Sequence, residues 1–156
     1  MARHLKLKPG KIVDSEGKII GEHQGLFFYT IGQRKNLGLT GGPYYVLDKD
    51  IKKNLLIVTK KKKELYKKEL IAESLNWISG KAPEFPLKVK AKIRYSSPLV
   101  SAVISHVIFQ KEKLIKVKVV FDKAQLAITP GQSVVFYKGR KLLGGGVISI
   151  ISKSAK

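Results

Sequence analysis

The chain has 156 residues, 44% hydrophobic and 27% charged, a balance typical of a soluble globular protein rather than a disordered or fibrous one. Its 31 lysines and arginines against 11 acidic residues give a formal charge of +20, which favours a polyanionic partner, nucleic acid before an anionic membrane surface. No run approaches the roughly 20 apolar residues of a membrane span. The N-terminus lacks the apolar core of a signal peptide, so we expect a cytoplasmic protein.

The first 72 residues predict a small β-rich domain. Short extended runs are predicted at 11–13, 18–21, 26–31, 44–47 and 55–59. The first two flank the turn-favouring residues 14–17 and the last two flank the polar segment 48–54, so each of these pairs predicts a hairpin. The third run leads into a basic loop, Gly32–Gly38. The charged stretch Lys60–Lys68 predicts one helical turn, and we place the domain boundary near Ala72.

Residues 73–156 predict a second domain made of strands. Apolar residues at 87, 89, 91, 93 and 95 alternate with Lys88, Lys90, Lys92 and Arg94, and the alternation returns at 115–121. Further strands are predicted at 101–109, 133–137 and 141–151. About six short strands in this span predict a six-stranded antiparallel β-barrel with a cationic outer face, because closure removes exposed edges. The predicted fold class is therefore mainly β, a small β-rich domain followed by this barrel.

No catalytic, cofactor-binding or metal-binding residues are identified. The chain has no cysteine, which excludes disulfides, thiolate metal sites and a cysteine nucleophile. His4, His23 and His106 stand alone, and isolated histidines are more often structural than catalytic. The run Gly144–Gly146 lacks the Lys-Ser/Thr that follows a phosphate-binding loop, so it predicts a bend or close backbone packing in a strand.

Two regions are candidate RNA contacts. The basic loop places Gln33, Arg34 and Lys35 beside flexible glycines, a composition usual in RNA-contacting loops. Arg94 and Tyr95 end the cationic strand, where a guanidinium can bind phosphate and a phenol can stack on an unpaired base. The alternative is that Tyr95 packs inward at the end of the barrel. Gln132 follows a Pro-Gly turn and can donate to a phosphate or a base edge.

Motifs spread over nearly the whole chain resemble, in order, those of the tRNA-specific 2-thiouridylases. They are Pro9–Asp14, Gly21–Gly25, Tyr29–Lys35, Pro43–Val46, Lys92–Tyr95, Ile128–Tyr137 and Leu143–Gly146. Ordered motifs are far more specific than any one of them. Two departures are visible: Asn36 stands where the family usually has Gly, and the lysine-rich segment Lys60–Lys68 is not a family motif.

The resemblance implies that the chain is the central and C-terminal part of such an enzyme, and that an ATP-pyrophosphatase domain precedes residue 1. In that family ATP, with Mg²⁺, adenylates the wobble uridine of tRNA, and catalytic cysteines deliver sulfur from a protein persulfide donor. The resemblance therefore implies a non-catalytic, monomeric fragment that binds tRNA, while the missing domain meets the upstream sulfur-relay protein. It assigns tRNA contact to Arg94, Tyr95 and Gln132.

Two other classes remain open. One is a translation-factor-like or ribosome-associated RNA-binding β-barrel protein, and the other is a self-contained enzyme. A barrel alone does not separate the first of these from a thiolation enzyme, because fold does not fix function. The ordered motifs favour the tRNA-binding part of a thiolation enzyme.

Overall fold

The computed structural model of the protein describes residues 7–110 and 113–149, with side chains except at 106–110 and 113–115. The chain forms two compact units, Met1–Tyr66 and Lys67–Lys156. The division follows Tyr66, whereas the sequence pattern predicted it near Ala72. Within the described residues, neither of the two short 3-10 helices is long and apolar enough to cross a membrane.

Ten strands and two 3-10 helices make up the regular structure of the described residues. The strands are β1 Gly10–Val13, β2 Ile19–His23, β3 Tyr45–Asp50, β4 Leu55–Thr59, β5 Tyr66–Trp77, β6 Leu87–Lys92, β7 Val100–Gln110, β8 Lys113–Leu126, β9 Ser133–Lys138 and β10 Lys141–Ser149. The helices are Leu26–Phe28 and Lys62–Leu65. The mainly β fold class predicted from the sequence is confirmed.

The smaller unit is built on a four-stranded sheet in the order β2-β1-β4-β3. Both predicted hairpins are present: β1 pairs antiparallel with β2, and β3 pairs antiparallel with β4. Asp14 closes the first turn because its Oδ1 accepts hydrogen bonds from the backbone N–H groups of Glu16 and Lys18, at 3.0 and 2.9 Å. The parallel contact between β1 and β4 joins the hairpins over a small core, formed by Ile12, Leu37, Val46, Leu56 and Val58.

The extended run predicted at 26–31 is wrong. Leu26–Phe28 is a 3-10 turn, in which the N–H of Phe28 bonds to the carbonyl of Gly25 and that of Tyr29 to Leu26, both at 3.2 Å. Phe27 and Phe28 are exposed, whereas Leu26 and Tyr29 pack against the core. The run is apolar without alternating, and such a run does not separate a strand from a tight turn.

The larger unit is a closed six-stranded antiparallel barrel in the order β10-β5-β8-β7-β6-β9, as predicted. The period-two pattern of β6 puts Val89 and Ala91 inside the barrel and leaves Lys88 and Lys90 exposed. Each of the other strands also contributes buried side chains to this core, among them Leu70, Ala72, Ala102, Ile104, Val117, Val119, Phe121, Val134, Phe136 and Ile148.

Strand β5 is the barrel element that the sequence pattern concealed. Its first four residues are all exposed, and only then does Leu70 begin to alternate toward the core. A bulge follows, because residues 73–76 of β5 face the shorter segment Gly145–Val147 of β10, and Ser74 has a positive φ of 50°. The charged start and the bulge remove the period-two signal of β5 from the sequence. Ala72 lies within this strand, and the division between the two units comes earlier, after Tyr66.

Candidate nucleic-acid interface

Arg94, Tyr95 and Gln132 belong to one end of the barrel. Strands β6 and β9 are antiparallel and Lys92 pairs with Val135, so the residues that follow β6 lie at the end where β9 begins. Strand β7 is antiparallel to both β6 and β8, so the end of β6, the start of β7 and the end of β8 all lie at this end of the barrel. We call the two connections there, residues 94–97 and 127–132, the barrel rim.

Arg94 holds the two rim connections together. Its Nη2 donates hydrogen bonds to the carbonyl oxygens of Leu126 and Ala127, the latter at 3.0 Å. The hydroxyl of Thr129 donates to the same Ala127 carbonyl, at 2.9 Å. Ala127 has a positive φ of 52°, a conformation that a non-glycine residue keeps only when its surroundings hold it. The half-buried Arg94 side chain therefore supports a strained turn.

Tyr95 points away from the barrel, and its side chain is 98% exposed. The inward position suggested by the alternation of β6 is wrong because the strand ends at Lys92 and the chain turns: the N–H of Ser97 bonds to the carbonyl of Arg94 at 3.1 Å. The ammonium of Lys92 lies 5.5 Å from the centre of the Tyr95 ring, within range of a cation-π contact. The rim thus presents a free aromatic face.

Gln132 joins the rim to β9 and β10. Its backbone carbonyl accepts from the N–H of Ile148, and the N–H of Gly131 donates to the carbonyl of Ile148, both at 2.8 Å. Gly131 has a φ of 88°, so the predicted turn into a strand is present and requires glycine. The Oε1 atom of Gln132 is buried and has no hydrogen-bond partner among the described residues.

The basic loop of the smaller unit is held by Gln33. The side chain of Gln33 accepts from the N–H of Thr30 at 3.1 Å and donates to the carbonyl of Lys35 at 2.9 Å. Its backbone carbonyl accepts from the N–H of Val46 at 2.9 Å, which ties the loop to β3. The Gln33 side chain therefore makes its hydrogen bonds within the loop, whereas Arg34 and Lys35 are exposed.

Known protein families match both units. Residues 1–60 match a model described as the tRNA methyl transferase PRC-barrel domain, and residues 67–148 match one described as the aminomethyltransferase beta-barrel domain. The tRNA-specific 2-thiouridylase MnmA of Halothermothrix orenii is 49% identical over 142 residues, which cover 90% of this chain and 38% of that protein. The chain belongs to the tRNA-specific 2-thiouridylase family.

Other 2-thiouridylases match over the same extent. That of Acetivibrio thermocellus is 49% identical over 92% of this chain and 38% of its own length, and that of Coxiella burnetii is 44% identical over 93% of this chain and 41% of its own length. The chain spans about two fifths of the length of these relatives.

The departure of Asn36 from the family pattern has a structural explanation. Asn36 has a φ of 61°, in the left-handed region that favours glycine. Asparagine is one of the few residues with a side chain that visits this region readily. The loop therefore keeps a glycine-like backbone although the side chain differs.

The glycine run Gly144–Gly146 does not form a phosphate-binding loop. Gly144–Gly146 lies within β10, as predicted. A Cβ atom built on Gly144 would meet the carbonyl oxygen of Asn76 at 2.1 Å, and one on Gly145 would meet that of Val134 at 2.4 Å. The glycines serve backbone packing against β5 and β9. No group of three His, Asp or Glu side chains in the described part of the chain is placed to hold a metal ion.

The predicted cationic outer face divides into two parts. On β8, Lys116 pairs with Glu73 at 3.2 Å and Lys118 with Glu69 at 2.8 Å, and both glutamates belong to β5. Lys88 and Lys90 on β6 are exposed and make no ion pair with any residue that the structure describes. This difference could not be predicted from the sequence, because the exposed start and the bulge of β5 conceal that strand.

Proposed function

We propose that this chain is the tRNA-binding part of an enzyme that 2-thiolates the wobble uridine of tRNA by ATP-dependent adenylation and sulfur transfer. The relatives' names supply tRNA as the substrate and 2-thiouridine formation as the reaction, and the motif resemblance suggests the wobble position and the adenylation step. The chain contains no cysteine, so a thiol-based sulfur transfer needs residues from elsewhere in the enzyme. We assign the binding of ATP with Mg²⁺, of the persulfide donor and of the sulfur-relay partner to a domain outside this chain. We propose that the whole enzyme is cytoplasmic and monomeric.

The observation that carries this proposal is the exposed Tyr95 on an ordered rim. An aromatic ring that is 98% exposed contributes little to the fold, and unpaired bases of RNA stack on such rings. Gln132 lies on the same rim, and its half-buried side chain, whose Oε1 has no hydrogen-bond partner among the described residues, would have to turn outward to place its amide on a phosphate or a base edge. The tRNA contact is therefore assigned to a base-stacking Tyr95, supported by Gln132.

Arg94 has a different part in the proposed site. Two N–H groups of its Nη2 already bond to the carbonyls of Leu126 and Ala127, and its Nε is buried. A phosphate bound through Nη2 would compete with those bonds. We therefore assign Arg94 as a positioning residue, which fixes the turn that leads to Gln132.

The test is tRNA binding by the 156-residue chain over a series of salt concentrations. Each phosphate neutralised should lower the logarithm of affinity by about 0.7 to 0.9 per log unit of salt. The same preparation should form no 2-thiouridine when incubated with tRNA, ATP and sulfide. Absence of tRNA binding, or binding insensitive to salt, would contradict the binding role, and formation of 2-thiouridine would contradict the non-catalytic one.

A further inference from the structure

The outward lysines of β8 and of β6 have different electrostatic surroundings, because only the first set contacts glutamates. Lys116 and Lys118 of β8 are paired with glutamates of β5. These pairs are partly exposed, and such pairs add little stability, but each glutamate cancels the charge of the lysine that it contacts. A polyanion therefore gains less from Lys116 and Lys118 than from lysines without an acidic partner.

The outward lysines of β6, Lys88 and Lys90, have no acidic partner among the described residues. Lys90 is paired in register with Ser101 of β7 on one side and Tyr137 of β9 on the other. These residues line a groove of about 420 Å³ together with Lys88, Lys138 and Asp122. Asp122 makes no ion pair with those lysines. The groove therefore carries three ammonium groups and one carboxylate, a net positive charge.

The turn between β9 and β10 extends this charge. Lys138 and Lys141 are paired directly across the two strands, and Arg140 lies between them in the turn. All three are exposed, and none makes an ion pair with the residues that the structure describes. Like charges directly opposite each other on a sheet destabilise it. The fold gains nothing from this pair, and a bound anion would relieve the repulsion.

We infer that the side of the barrel formed by Lys88, Lys90, Lys138, Arg140 and Lys141, the cationic wall, binds the sugar-phosphate backbone of RNA. This inference rests on the proposed function and names the surface that tRNA follows after Tyr95. Lys92 links the two, because it is the next outward residue of β6 and its ammonium lies 5.5 Å from the Tyr95 ring. Outward lysines on one strand repeat every ~6.8 Å, similar to the spacing of successive phosphates.

The decisive experiment compares two variants of equal charge. Lys88→Gln/Lys90→Gln removes two charges from the cationic wall, and Lys116→Gln/Lys118→Gln removes the two lysines of β8 that pair with glutamates. tRNA binding is measured for both over a salt series, and circular dichroism reports folding. The wall variant should lose about 1.4 to 1.8 from the slope of log affinity against log salt and bind roughly tenfold more weakly. The control should keep the slope of the unsubstituted chain.

The outcomes separate the inference from the proposed function. Equal losses in the two variants, with tRNA binding by the unsubstituted chain intact, would overturn the cationic wall alone, because only net charge would matter. Absence of tRNA binding by the unsubstituted chain would overturn both. If the wall variant misfolds, Arg140→Gln/Lys141→Gln replaces it, since that change lies at the turn. Binding to phosphatidylserine vesicles that tRNA does not displace would also overturn an RNA-specific wall.

Discussion

In the basic loop, Gln33 holds the backbone and leaves Arg34 and Lys35 exposed. In the barrel rim, Arg94 holds the backbone and leaves Tyr95 exposed. In each motif, one side chain holds the backbone by hydrogen bonds and the neighbouring side chains face solvent. The exposed chemistry differs, because the loop offers charge and the rim offers an aromatic face. Contacts from the loop should therefore depend on salt, and a stack on the rim should not.

The largest effect is expected from Arg94→Ala. Hydrogen bonds from a charged group are worth about 1.5 to 3 kcal/mol, so the free energy of unfolding should fall by about that amount. Urea unfolding measures this change. Faster amide hydrogen exchange at Gly131 and weaker tRNA binding should accompany it, because the rim loses its support. Arg140→Ala is the stability control, since that exposed arginine makes no hydrogen bond in the described structure. Unchanged stability and exchange in the Arg94 variant would rule out the positioning role.

Tyr95→Ala should separate binding from stability. The free energy of unfolding should stay constant because the ring is exposed, while tRNA affinity should fall by about 1 to 3 kcal/mol through loss of a base stack. The salt slope should not change. Tyr95→Phe should retain affinity, and Leu99→Ala, another exposed apolar residue of the same connection, should bind as the unsubstituted chain does. Normal affinity of the Tyr95→Ala chain would exclude stacking on the rim.

The smallest effect is expected from Arg34→Gln/Lys35→Gln. Exposed charges are screened, so tRNA affinity should fall only severalfold at physiological salt, with a shallower salt slope. Unfolding should be unaffected because Gln33 still holds the loop. Lys52→Gln/Lys53→Gln removes two exposed charges from the same unit and serves as the control. If both pairs weaken binding equally, the basic loop makes no contact of its own.

Elements with an unbroken local pattern could be predicted from the sequence. The Asp14 turn, the hairpin of β3 and β4, and the alternation in β6 all follow from neighbouring residues. Two elements could not be predicted. Strand β5 begins with four exposed residues and contains a bulge at Ser74, and Leu26–Phe28 forms a turn from an apolar run without alternation.

The candidate site also has features that could be predicted from the sequence and features that could not. The motifs pointed to Arg94, Tyr95 and Gln132, and the register of β6 and β9 brings these residues to one barrel end. The separate environments of Arg94 and Tyr95 were not predictable, because the carbonyls that Arg94 contacts lie 32 and 33 residues away in the chain. A period-two pattern also carries no information on where a strand ends.

The amino-acid sequence by itself determined the mainly β fold, the inward and outward faces of the regular strands, the excess of positive charge and the family motifs. These properties depend on composition and on residues a few positions apart. Only the tertiary structure decided which cations are free. Lys116 and Lys118 meet Glu73 and Glu69 because closure of the barrel sets β8 beside β5, whereas Lys88 has no acidic partner among the described residues. Pairing between distant strands depends on closure, which no local pattern encodes.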